Sequence, residues 1–151
     1  MTLLDHLRDY LVGLDIVRYP RLPGSLPPMW LEPKAGAPAP GEGRNEVERG
    51  PDATVSAFLT GGIPQQPYES FWRRDTVDIW LRTTTAPIAF DLDARLRAVL
   101  SDQRNFNMAG ERIISSEQWR ALQRLGSDEQ GYTFIVSYLI EQYVEEALQV
   151  F

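Results

Sequence analysis

Thr2 followed by Asp5 has capping-box spacing, with Asp in place of the usual Glu, and Leu3, Leu4, Leu7, Tyr10, Leu11 and Leu14 recur behind it at helical intervals. The pattern predicts a short amphipathic helix over 2–12, with Gly13 as its left-handed cap. Ile16, Val17 and Tyr19, ahead of Pro20, predict a first short strand. Met29, Trp30 and Leu31, and then Ala53, Val55, Ala57 and Leu59 alternating with Thr54, Ser56 and Phe58, predict the two arms of a hairpin with a long tip. The alternation returns over 71–84 and predicts the clearest strand, with Val77, Ile79 and Leu81 on one face and Asp78, Trp80 and Arg82 on the other. Pro87 fits the first turn of a helix over 87–101, whose stripe of Ile88, Leu92, Leu96, Val99 and Leu100 leaves Asp91, Asp93, Arg95 and Arg97 outside. Asn105 and Asn107 mark a polar turn and 112–115 reads as a strand, while Trp119, Leu122 and Leu125 fit a helical face or a strand equally. A polar turn over 126–131 leads into a buried strand over 132–143, apolar on both faces between Phe134 and Ile140.

These elements predict an α+β fold. It is a small antiparallel or mixed β-sheet with two flanking helices and a long Pro/Gly-rich hairpin loop over 32–52, all within one domain spanning 1–151. Ten of the eleven prolines fall between Pro20 and Pro67, and 32–52 contains no large apolar residue except Val47. A loop longer than about 12 to 15 residues inside a folded domain is usually functional or disordered. This one has too little apolar surface to order itself, so a partner chain is the simplest thing to hold it. Removing 34–49 is therefore expected to leave folding nearly unchanged.

Composition removes whole classes of chemistry. Hydrophobic residues at 43% and charged ones at 24% describe an ordinary globular chain. No stretch approaches the roughly 20 apolar residues that span a bilayer, and the acidic first ten residues do not resemble an export signal. With no cysteine, disulfides, thiolate metal sites and a cysteine nucleophile are excluded. One histidine, His6, rules out a two-histidine metal site, and its place on the polar side of the first helix predicts a solvated side chain. The D-x-D pair Asp91 and Asp93 would suit a divalent ion, but two acids read as first-turn residues complement the helix dipole instead. No phosphate-loop spacing occurs, and a net charge of -6 opposes nucleic acid binding. No cofactor or metal is expected. Trp72, Arg73 and Arg74, at the start of the clearest strand, have the composition of a protein interface, as do Lys34, Arg44 and Arg49 in the long loop.

The element order is a short N-terminal helix, a hairpin with an extended Pro/Gly-rich tip, the strand around 75–83, the helix over 86–102 and a final hairpin ending in 132–143. It resembles the tail terminator proteins of long-tailed, non-contractile bacteriophages, most closely over 74–82, 90–100 and 131–138. That resemblance implies a non-enzymatic virion protein, assembled in the host cytoplasm and placed at the tail-neck junction. It would be a homo-oligomer, six copies in a ring, that caps the tail tube and meets a neck or head-completion protein. DNA would pass through its lumen without specific binding, and no membrane is involved. Another neck ring component, a head-tail adaptor or stopper, is the alternative within the same class. A small divalent-metal-dependent enzyme built on Asp91 and Asp93 is the alternative outside it.

Overall fold

A computed structural model describes residues 2–32, 52–63, 72–129 and 131–143. The elements run α1 (Leu3–Gly13), β1 (Met29–Leu31), β2 (Ala53–Ile63), β3 (Trp72–Thr83), α2 (Ala86–Leu100), β4 (Gln103–Met108), β5 (Glu111–Asp128) and β6 (Gly131–Tyr143). The strands form one mixed sheet in the order β1-β2-β3-β6-β5-β4, which with the two helices makes an α+β fold.

The capping box forms as expected. Thr2 Oγ1 accepts the Asp5 N–H at 3.3 Å, and Asp5 Oδ2 accepts the Thr2 N–H at 2.9 Å. The Thr2 backbone hydrogen bond, first among its causes, holds the Asp5 carboxyl below its ordinary value. Thr2→Ala is expected to cost about 1 kcal/mol in urea unfolding, the usual value of a side-chain cap. At the other end of α1 the left-handed residue is Asp15 (φ 57), not Gly13, which is the helix's last residue. Ile16 N–H reaches Leu11 O at 3.0 Å and Asp15 N–H reaches Val12 O at 3.1 Å, the paired bonds of a Schellman closure two residues later than the glycine suggested.

The strand expected at 16–19 is only a bridge between Arg18 and Pro28, because Arg18 turns the chain back on itself. Its buried guanidinium donates to the carbonyls of Leu22 (2.7 Å), Leu26 (2.8 Å) and Pro20 (3.3 Å), gathering the proline-rich turn around one cation. Nor do β1 and β2 make a hairpin: they pair in parallel, Met29 with Val55 and Leu31 with Ala57. Parallel neighbours require a long crossover, and the 21 residues of 32–52 are long enough to supply one. The loop tip itself, 33–51, lies outside the described residues.

All other neighbouring strands are antiparallel, and β3 pairs with β6 from Trp72–Tyr143 to Thr83–Tyr132. The register puts Val55, Ala57, Val77, Ile79, Leu81, Val136, Tyr138 and Ile140 on one face, where α1 and α2 cover them. From the helices come Leu3, Leu4, Leu7 and Leu11 and then Ala89, Leu92, Leu96 and Leu100. The opposite face carries Ser56, Phe58, Asp78, Trp80, Arg82 and Ser137, with Phe58 edge-on to Trp80 at 6.1 Å. The polar turn expected at Asn105 and Asn107 is part of β4, and Asn105 takes a positive φ of 49 within it. The stretch that fitted helix or strand equally is strand β5.

Candidate functional site

The sequence points to the N-terminal end of β3. Arg73 and Arg74 do project there, on opposite faces of the sheet, and each meets a carboxylate. Arg73 Nε lies 3.0 Å from Asp75 on the helix-covered side, where Asp75 is buried. Arg74 Nε lies 3.2 Å from Glu141, its cross-strand partner on β6. Charge reversal at 73 would thus oppose a buried carboxylate, and is expected to cost more than the roughly 0.5 kcal/mol of an ordinary surface change. The β3 backbone begins at Trp72, while Lys34, Arg44 and Arg49 lie outside the described residues.

His6 is not a solvated side chain. It is 14% exposed, with Nδ1 3.1 Å from the Ala109 carbonyl and Nε2 3.6 Å from Glu111, and so ties α1 to the β4–β5 turn. Asp91 and Asp93 occupy the sixth and eighth positions of α2, past the first turn, because the helix starts at Ala86. Asp91 is exposed and paired with Arg95 at 3.2 Å. Asp93 turns inward and is buried, with Arg97 at 3.1 Å and no hydrogen-bond partner for Oδ1 among the described residues. The two acids therefore do not converge, and among the described residues no three His, Asp or Glu side chains gather as for a metal ion.

Burial raises the Asp93 carboxyl above the ordinary aspartate value of 3.8, although Arg97 opposes this. The phenol of Tyr138 beneath it is pushed up too, by burial first and the Asp93 charge second. An acid whose value is raised by folding favours the protonated fold. Its contribution is complete below pH 3.8 and is lost as the pH rises through the folded value. Asp93→Asn is thus expected to gain thermal midpoint relative to the parent chain between pH 4 and pH 7. A difference that stays flat across that range would show that Arg97 fully compensates the buried charge.

Sequence reasoning missed two surface features. On β5, Trp119 is 53% exposed and Leu125 48%, while Arg120 is exposed with no acidic partner among the described residues. β4 covers β5 only as far as Ser116, so from Glu117 to Asp128 its outer edge has no neighbouring strand among the described residues. Four register shifts break the β5–β6 ladder, two of them flanking Arg120. Across the sheet, a cleft of about 390 Å³ opens between the turn at Ser25, Leu26 and Pro27, the start of β2, and α2. Leu26, Pro27, Pro87, Ile88 and Leu92 make its apolar walls, and Asp52, Asp91 and Arg95 complete its lining. The three-residue spacing of Trp119, Leu122 and Leu125 was the only signal of the first feature, and the second had none because its walls come from three separate segments.

No curated protein matches the chain. The family model for the bacteriophage tail terminator protein matches residues 36–142, and at more than two thirds of its length the chain belongs to that family, as a structural component of the phage virion.

Proposed function

We propose that this chain is the subunit of a ring, six copies around, that caps the phage tail tube and joins it to a neck or head-completion protein. It does no chemistry and works by presenting two faces, one to the tube and one to the neck. Family membership supports the terminator role over a head-tail adaptor or stopper. The observation that carries the ring is the stretch of β5 over Glu117–Asp128, which has no outer neighbouring strand among the described residues and bears exposed Trp119 and Leu125, because large apolar side chains grouped on such an edge call for a neighbouring surface. A head-to-tail contact that closes on itself makes a ring. An acidic chain suits a channel through which DNA slides without adhering. Arg73, Arg74 and the loop residues Lys34, Arg44 and Arg49 stay within the proposed joining surface.

Sedimentation of the chain alone and with purified tail tubes, followed by negative-stain imaging of the tube tips, tests this. Rings are expected at one end of the tube, whereas monomers both free and with tubes would sink the proposal.

A further inference from the structure

We propose that Trp119 is the knob of the contact between ring subunits, and that it seats in the cleft between the 25–27 turn and α2 of the next copy. This rests on the ring reading above and specifies how the ring closes.

The edge of β5 is poorly suited to adding a strand. Three of the four register shifts fall within it and interrupt the row of backbone donors and acceptors, a common protection against edge-to-edge pairing. Antiparallel pairing of two β5 strands about Leu122 would set Trp119 beside Leu125, but it would also set Arg120 opposite Arg124. A symmetric pair is thereby disfavoured, and the edge has to work through its side chains. The ladder skips Trp119, since Gln118 pairs with Tyr138 and Arg120 with Ser137, so Trp119 is set off the regular alternation and left exposed.

The cleft matches this knob in size, polarity and charge. A cavity of about 150 Å³ holds a benzene ring, so about 390 Å³ admits an indole with part of a flanking side chain. Leucine, isoleucine and proline walls suit the ring face. Asp91 and Arg95 neutralise each other within the lining, whereas among the described residues Asp52 has no cationic partner and Arg120, beside the knob, has no acidic one. Buried Arg18 holds the Leu26 carbonyl, so one wall is fixed before any partner arrives. Knob and cleft do not meet within one chain: Trp119 is exposed and is not among the residues that line the cleft, and β5 lies three strands from the β2 wall, about 14 Å across the sheet. A contact joining different patches on successive copies is the kind that propagates and closes into a ring.

Three variants test the assignment: Trp119→Ala, Arg120→Asp, and Arg120→Asp combined with Asp52→Arg. Each is assayed for rings by sedimentation with and without tail tubes, and for folding by thermal midpoint. Trp119→Ala should weaken association at least tenfold with the midpoint unchanged. Arg120→Asp should weaken it less, and adding Asp52→Arg should restore it. Rings from Trp119→Ala as readily as from the parent chain, or no rescue by the charge swap, overturn the knob-and-cleft contact and leave the ring standing. Absence of rings from the parent chain overturns the ring reading itself.

Discussion

Gly131→Ala is expected to lower stability by about 4 kcal/mol, a large part of the 5 to 15 kcal/mol that holds a typical domain together. Gly131 opens β6 with φ at +145, where a side chain is strained by about 1 to 3 kcal/mol. Strain is only half of the effect. A Cβ built there overlaps the Thr83 carbonyl oxygen and comes within 3.0 Å of Thr84 Cα, both backbone atoms that no rotamer change can move. Forcing extra volume into such a contact adds about 1 to 3 kcal/mol. The same glycine donates its N–H to Asp128 Oδ1 at 3.2 Å, so the turn that brings β5 into β6 is fixed here. Gly110 is the control. Its φ is +97, but a Cβ there meets nothing within 4 Å, so Gly110→Ala should cost the backbone strain alone, about 1 to 3 kcal/mol. Urea unfolding of both variants checks the pair, and equal losses would refute the steric account.

What the chain revealed in advance follows from how local each cause is. α1, β3 and α2 were legible because one face of each meets the core and burial imposes period 3.6 or period 2 on the sequence itself, and β6 because burial on both faces leaves a short continuous apolar run. β5 was ambiguous for a physical reason: the shift between Gln118 and Arg120 and the next between Arg120 and Gln123 insert extra residues, so a strand shows Trp119, Leu122 and Leu125 at helix-like spacing. β4 escaped notice because its Arg104, Asn105 and Asn107 are exposed, and an exposed edge strand leaves no apolar alternation. The parallel pairing of β1 with β2 has no local signature at all. Asp93 shows the opposite failure. It falls in the buried stripe of α2 with Ala89, Leu92, Leu96 and Leu100, but its acidic identity argued for the outside, and only the Arg97 pair permits the exception.

The candidate site was less legible than the fold. Composition identified aromatic and arginine residues as contact material, but it could not show that Arg73 and Arg74 are engaged with Asp75 and Glu141, which come from packing and from a distant strand. Trp119 was visible as a residue and invisible as a surface feature until the register of β5 was known.

Ile79→Ala is expected to cost about 4 kcal/mol, near the upper part of the 2 to 5 kcal/mol range for truncating a core isoleucine. Ile79 is fully buried in β3, between Ala57 on β2 and Val136 on β6. Ala57 is too small to lean into the space, and ladder pairing holds both neighbouring strands apart at the hydrogen-bonding distance, so the cavity cannot collapse. Ile79→Val removes a single methylene from the same place and should cost about 1 kcal/mol. Urea unfolding should show the midpoint moving while the slope stays constant, as for a change in packing rather than in the unfolded chain. Ile79 lies away from both Trp119 and the 25–27 cleft, so folded Ile79→Ala subunits should join rings with the parent affinity at a temperature where they remain folded. Loss of ring formation by fully folded Ile79→Ala subunits would mean that the contact depends on the shape of the sheet centre, against the edge-to-edge arrangement of knob and cleft.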